Sequence, residues 1–243
     1  LGRSGAGQGG GVDVVFTPPK PGGGPGLPGG GGAGGSGTGG SGSGGPTDSC
    51  GLQRYDLQRL PPDIILVFDR SSSMSEESGS GTRWTVAQAA LDDTLTKTSA
   101  TVNWGLKFFP TTEACNVNDP MEVDIAASNY ARMSMTIKNA KPNSGEGGTP
   151  THIAVQKATA YLKTLKSPNP KFILLTTDGE PNCGGGADGS VKAIKDAVAS
   201  GFPTFVVGIA TQRTNAHGIL NDMAEAGGRP RAGLARPAQH FSA

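Results

Sequence analysis

Three short and almost continuous runs of apolar residues lie between residues 60 and 211. They are DIILVF (63–68), KFILLTT (171–177) and PTFVVGIA (203–210). Runs of this length without polar alternation are typical of strands that are buried on both faces of a parallel sheet. The first run is followed directly by Asp69 and the second by Asp178. The pattern therefore predicts parallel strands, two of which end at a carboxylate.

Apolar residues at helical spacing separate these strands. Three sets follow the period of an α-helix: Trp84, Ala87, Leu91, Leu95; Ile153, Ala154, Ala158, Tyr161, Leu162, Leu165; and Val191, Ile194, Val198. Further helices are expected over 128–141 and 216–228. Strands that alternate with amphipathic helices predict right-handed crossovers. The expected fold is therefore an α/β, doubly wound, mostly parallel and Rossmann-like sheet with helices on both faces.

One edge of this sheet is expected to be antiparallel. The segments VNWGLKFF (102–109) and MEVDI (121–125) both have strand character, and about a dozen residues separate them. A connection of that length is too short for a helical crossover between parallel strands. We therefore expect one antiparallel edge strand.

Glycine divides the chain into two parts. Of 243 residues 40 are glycine, and the N-terminal segment carries runs such as GGGGAGGSGTGGSGSGG. Such a segment contains too few large apolar residues to offset the entropy lost on ordering. We expect residues 1–49 to be a disordered Gly/Ser/Pro-rich linker, in which VDVVFTPP (12–19) is linker or a strand of a neighbouring module. Residues 50–243 are then one domain.

Charge and hydropathy exclude several functions. The chain has 21 basic and 20 acidic side chains, a net charge of +1, which argues against a main role in binding nucleic acid or an anionic membrane. No apolar run is long enough for membrane insertion. The chain begins at Leu1 without a signal peptide, so either a leader has been removed or the sequence is a fragment.

Polar side chains follow two of the predicted strands. The first continues as D-R-S-S-S, with Asp69, Ser71 and Ser73, and the second ends at Asp178. In a doubly wound sheet, ligands bind outside the carboxyl ends of the strands. These four side chains are therefore expected to lie on one rim of the sheet.

A Gly-rich loop supplies a fifth oxygen. The sequence GEGGTPT (145–151) leads into a predicted helix, with Thr149 as the expected N-cap and Pro150 at the first helical position. The rim then carries two carboxylates and three hydroxyls, with no His or Cys among them. Oxygen-only ligands favour a hard cation, here Mg²⁺, with Mn²⁺ or Ca²⁺ as substitutes.

These three separated elements, in this order, resemble the metal-ion-dependent adhesion site of von Willebrand factor type A domains. The resemblance covers about residues 50–243. It implies that Ser71 and Ser73 ligate the ion through their hydroxyls and that Thr149 joins directly or through water. It further implies that Asp69 and Asp178 hold coordinated waters. In that family, a carboxylate from the partner protein fills the last coordination position.

The resemblance implies a Mg²⁺-dependent, adhesion-type protein-binding module and not an enzyme. Its partner would be a protein that offers an Asp or Glu carboxylate. The family most often has Gly where this chain has Ser72. Glu76 and Glu180 are near enough in sequence to reach the metal and cap it in a resting state. The Gly/Ser linker and a possible disulfide favour an exported protein, periplasmic or on the cell surface.

Two other functions remain open at this point. Type A domains also resemble subunits of intracellular ATP-driven metal-insertion or remodelling complexes. A hydrolase would recruit Ser71 or Ser73 with His152 and Asp178, but the G-x-S-x-G elbow is missing, and His152 is interpreted as a surface residue. Taken one at a time, the five site residues would more simply serve as turn or cap residues. The segment GGGADG (184–189) is interpreted as a flexible loop.

Three cysteines without a CxxC pair leave room for one disulfide and one spare thiol. Cys115 follows the second predicted strand, and Cys183 lies five residues past Asp178. If the second strand is parallel to the first, both loops emerge on the same rim, so we expect a Cys115–Cys183 disulfide. Cys50 would stay free or pair elsewhere. The resemblance implies a sixth strand and a closing helix, and since HFSA (240–243) reaches only the strand, we expect truncation before that helix.

Overall fold

The computed structural model describes residues 59–112, 115–144, 147–209 and 216–230. The expectations for the linker (1–49), for Cys50 and for the strand at 240–243 fall outside these ranges and stay predictions. So does the division of the chain at residue 50.

The main sheet has five strands in the order β5-β4-β1-β6-β7. Four of them are parallel, and β5 pairs antiparallel with β4 at one edge. The fold class is therefore confirmed as a mostly parallel sheet with one antiparallel pair, flanked by helices. A separate ribbon, β2 with β3, was not predicted. The strands are β1 (Asp63–Asp69), β2 (Glu77–Ser78), β3 (Gly81–Thr82), β4 (Asn103–Phe109), β5 (Val123–Ala126), β6 (Lys171–Thr177) and β7 (Thr204–Gly208).

Helices cover both faces of the sheet. On one face the core is built with α1 and α2, and on the other with α3, α4 and α5. The helices are α1 (Arg83–Thr98), α2 (Tyr130–Asn139), α3 (Thr151–Thr164), α4 (Gly186–Ala199) and α5 (Ala216–Ala226). Within the described ranges, no helix is long and apolar enough to cross a membrane.

The apolar side chains of α1 pack on strands β1 and β4. All four apolar positions that predicted α1 are buried. The ring of Trp84 stacks on Phe68 of β1 with centroids 4.7 Å apart, and Phe108 of β4 contacts both rings. Burying each such side chain contributes roughly 1.5–3 kcal/mol. This packing fixes α1 directly behind the end of β1, where the candidate site begins.

Two local predictions were wrong. Helix α3 begins at Thr151 with Pro150 as its N-cap, so Thr149 does not cap it. The first helical bond runs from the Ala154 amide to the Pro150 carbonyl, and proline, which has no N–H to satisfy, suits this position. The segment 184–189 is not all loop, because α4 already begins at Gly186. Gly185, with φ of 88°, makes the turn that starts it.

Strand register brings the site loops together. β1 is flanked on both sides by parallel strands, with Asp69 opposite Phe109 of β4 and Phe68 opposite Thr176 of β6. The loops that follow β1, β4 and β6 therefore leave the same edge of the sheet. The predicted disulfide Cys115–Cys183 is present and joins the loops after β4 and β6, with 5.6 Å between its Cα atoms.

Candidate functional site

Asp69 ends the central strand and is fully buried. Its Oδ1 accepts the backbone N–H of Ser71 at 2.8 Å, and its Oδ2 accepts the hydroxyl of Thr177 at 2.5 Å. Thr177 is the last residue of β6, so the neighbouring strand orients the carboxylate. Asp69 is thus a fixed group and not a mobile surface side chain.

A chain of hydroxyls connects the loop after β1 to the loop after β6. The Ser71 and Ser73 hydroxyls are hydrogen-bonded at 3.0 Å, and Ser73 donates to Asp178 Oδ1 at 2.9 Å. Ser71 and Asp178 are both buried. Four of the five predicted site residues are therefore brought together in one cluster. Their assignment as metal ligands remains a prediction.

The loop that carries Thr149 lies beside this cluster. The residue is buried, and its backbone N–H donates to Oδ1 of Asn182 at 2.7 Å. Earlier in the same loop, a Cβ added at Gly147 would lie only 2.6 Å from the Ser72 Oγ, so the loop packs directly on the D-R-S-S-S segment. The Thr149 loop is thus in contact with the loops after both β1 and β6.

Arg83, the first residue of α1, also contacts the cluster and was not predicted. Its Nη1 donates to Asp178 Oδ2 at 2.9 Å, and its Nη2 contacts Glu76 Oε2 at 2.6 Å. The Arg83 side chain is only 12% exposed. The spacing of charged residues gave no signal for this burial, because adjacent residues of a helix do not share a face. Of the two glutamates expected to be able to cap the metal, Glu76 forms an ion pair with Arg83. Glu180 is exposed in the loop after Asp178.

The electrostatics of the cluster leave negative charge to be neutralised. Burial, and secondly the charge of Asp178, raise the pKa of Asp69 to about 7, although hydrogen bonds from Thr177 and Ser71 oppose the rise. Asp178 is paired with Arg83, whereas the hydrogen bonds that reach Asp69 come from neutral donors. A cation bound between the loops would favour the ionised form of Asp69.

The donor set fits a hard divalent cation. Two carboxylates and neighbouring hydroxyls are all oxygen donors, which Mg²⁺ and Mn²⁺ prefer over nitrogen or sulfur. Among the described residues no group of three or more His, Cys, Asp or Glu side chains is arranged to hold a metal. An ion here would therefore depend on Ser and Thr hydroxyls and on water.

The hydrolase arrangement is not assembled in the structure. Ser73 donates its hydrogen bond to Asp178 and not to a histidine. His152, expected at the surface, is half-buried in the first turn of α3, and its Nδ1 is buried without a hydrogen-bond partner in the described part of the chain. The Ser–His contact that activates a nucleophile is therefore missing from this geometry.

The comparisons with known proteins agree on the fold. Residues 64–180 match the family model described as von Willebrand factor type A domain. Among curated proteins, no sequence matches the chain.

Several solved structures resemble this chain in fold at low sequence identity. The conserved hypothetical protein BatB from Bacteroides thetaiotaomicron is 21% identical with a TM-score of 0.56, over 70% of this chain and 88% of that one. The manganese-loaded TRAP protein of Plasmodium vivax is 19% identical with a TM-score of 0.56, over 72% of this chain and 66% of that one.

The pilus adhesin SpaC from Lactobacillus rhamnosus GG is 18% identical with a TM-score of 0.54. That match covers 71% of this chain and 28% of SpaC. At these identities the resemblance establishes the fold. Residues 64–180 are therefore similar in sequence to a von Willebrand factor type A domain, and the mostly parallel sheet flanked by helices is consistent with the fold of that family.

Proposed function

We propose that this domain is a protein-binding module of the adhesion type that holds Mg²⁺, or Mn²⁺ or Ca²⁺ in its place, and binds a carboxylate of a partner protein. The observation that carries the proposal is the cluster of Asp69, Ser71, Ser73 and Asp178 at the carboxyl edge of the sheet. Both carboxylates are buried. Arg83 pairs with Asp178, whereas Asp69 receives hydrogen bonds only from neutral donors in the described part of the chain, which leaves negative charge for a cation to neutralise.

Each side chain would have a defined task toward the ion. Ser71 and Ser73 present hydroxyls as neutral ligands, with Thr149 joining from the adjacent loop. Asp69 and Asp178 accept hydrogen bonds from metal-bound water and hold it in place. When bound, the ion supplies positive charge. The two carboxylates neutralise this charge only in part, because a water molecule separates each of them from the ion. An anionic oxygen from the partner is therefore attracted to the open position.

Two observations support an adhesion role outside the reducing cytosol. Structures with this fold include a pilus adhesin and a protein determined with manganese bound. The disulfide joins loops at the rim, and disulfides persist mainly in oxidising compartments. We therefore propose an exported, periplasmic or cell-surface location. This choice disfavours the intracellular ATP-driven complex, and binding rather than catalysis is the proposed activity.

Calorimetric titration of Mg²⁺ into the 243-residue chain tests the metal. Wild type should bind at or below millimolar Kd, and Asp69→Ala should lose binding. Asp93→Ala is the matched control, because Asp93 is an exposed carboxylate paired with Lys97 on α1, away from the cluster.

Capture of partners from the native surface, with and without chelator, tests the binding role. Captured proteins should be lost in chelator and with Asp69→Ala. Wild type that binds no divalent ion at millimolar concentration, or captures the same partners in chelator, overturns the proposed function.

A further inference from the structure

Asn182 makes a hydrogen bond that no sequence motif assigned. Its side-chain Oδ1 accepts the backbone N–H of Thr149 at 2.7 Å, across 33 positions of sequence. Thr149 is buried and does not cap α3, and this bond gives its backbone N–H an acceptor. Asn182 thereby connects the loop after β6 to the loop that carries Thr149.

Asn182 is itself held in place by the next residue. Cys183 is buried and disulfide-bonded to Cys115 in the loop after β4. That second loop is closed at its base, since the Thr111 N–H donates to the Asn116 carbonyl at 2.8 Å. The disulfide therefore connects the residue after Asn182 to the loop that follows β4.

We propose that Asn182 is a positioning residue for Thr149, fixed by the disulfide, and that it sets the affinity of the site for Mg²⁺. The inference rests on the proposed function, because it requires Thr149 to face a metal. Asn182 does not touch the ion. It acts by holding the Thr149 loop against the D-R-S-S-S segment, where Gly147 permits close approach to Ser72. Residues that orient a metal ligand change metal affinity by about 10–100-fold when they are removed.

The first test needs no metal. Hydrogen exchange of the Thr149 amide, followed by NMR in the presence of chelator, should be faster in Asn182→Ala than in wild type. The double variant Cys115→Ser/Cys183→Ser should also speed this exchange. Asn182→Asp keeps an acceptor oxygen and should retain slow exchange. An unchanged rate in Asn182→Ala overturns the proposal.

The second test is a double-mutant cycle read by Mg²⁺ calorimetry. Asn182→Ala should raise the Kd by about tenfold. In a Thr149→Ala background the same change should have almost no further effect, because Asn182 acts only through Thr149. Asn182→Asp should stay within about threefold of wild type or bind tighter. Asn169→Ala, which removes a polar contact at the amino-terminal end of β1, is the matched control and should leave the Kd unchanged.

The results of these experiments distinguish the positioning role of Asn182 from the proposed metal-dependent function. Wild type that binds Mg²⁺ while Asn182→Ala binds equally well overturns the positioning role alone. Additive effects of the two substitutions also overturn it, since they show that Asn182 acts independently of Thr149. Wild type that binds no Mg²⁺ overturns the proposed function and with it any role of Asn182 toward a metal.

Discussion

Arg83 and Asp178 form an ion pair, with 2.9 Å between Nη1 and Oδ2, at the centre of the candidate site. The carboxylate is fully buried and the guanidinium nearly so. On its other side, Arg83 contacts the exposed Glu76. Helix α1 thus supplies a fixed positive charge to the same carboxylate that is expected to hold a metal-bound water.

Arg83→Met should have opposite effects on stability and on metal binding. Removing one partner of a buried ion pair costs about 3–5 kcal/mol, so the metal-free protein should be less stable to urea. Mg²⁺ should bind more tightly, by up to about tenfold, because a like charge has been removed from its surroundings. Urea unfolding in chelator and calorimetric titration measure the two effects.

Arg132→Met provides the control, since Arg132 is exposed on α2. It should change neither quantity. Weaker Mg²⁺ binding by Arg83→Met would contradict the prediction and would show that Arg83 is needed to orient Asp178.

The amino-terminal end of β1 carries a third buried carboxylate, Asp63. Amides of Asn103 and Asn169 each donate to its Oδ1 at 2.8 Å, and the Ser167 hydroxyl donates to its Oδ2. Burial is the largest single influence and pushes the pKa of Asp63 upward. The hydrogen bonds, together with the charge of Lys171, outweigh burial and lower the pKa below its ordinary value.

Asp63→Asn should therefore destabilise the fold in a pH-dependent way. A carboxyl whose pKa is lowered by folding contributes stability above its unfolded pKa, and this contribution is lost as pH falls toward the folded pKa. At pH 7 the variant should be less stable by about 1.5–3 kcal/mol. The difference should shrink below about pH 4. Urea unfolding across pH measures it, with exposed Asp93→Asn as control, and a difference that is constant with pH would contradict it.

The features that the sequence predicts well are those that follow from a repeating pattern of residues or from the order of the strands. Strand β6 was predicted with its observed bounds because seven consecutive residues carry its burial pattern. The disulfide followed from topology, since parallel strands bring the loops after β4 and β6 to one edge. Both predictions used regularities that repeat along the chain or the sheet.

Contacts that depend on individual side chains were not predictable in this way. The bond from Thr149 to Asn182 goes with a helix that starts one residue later than its cap signal indicated. Arg83 was missed because nothing in the spacing of charged residues distinguishes a buried arginine from a solvated one. Asp69 and Asp178 were predicted because each ends or directly follows an apolar strand, but the arginine that pairs with Asp178 comes from a helix that follows a separate β ribbon.

Removing the disulfide should weaken the fold without changing its topology. The bridge closes a segment with a sequence separation of 68. The chain-entropy model assigns about 4 kcal/mol to a closed loop of that size. Cys115→Ser/Cys183→Ser should therefore unfold at lower urea concentration with an unchanged far-UV spectrum. Mass mapping of wild type from an oxidising compartment should find the two cysteines linked, and two free thiols there would contradict the assignment.

Removing the metal should abolish partner binding while the fold persists. The candidate ligands lie at or beyond the carboxyl ends of the strands, whereas the two apolar cores are packed on the faces of the sheet and do not depend on an ion. Asp69→Ala and Asp178→Ala should both lose Mg²⁺ binding, since each removes one of the two buried carboxylates. Thr149→Ala should weaken binding less, because water can replace a lost hydroxyl at modest cost. Circular dichroism and urea unfolding in chelator check the fold, and calorimetry ranks the variants. Unfolding in chelator alone would show instead that the ion is a structural element of the kind found in zinc fingers.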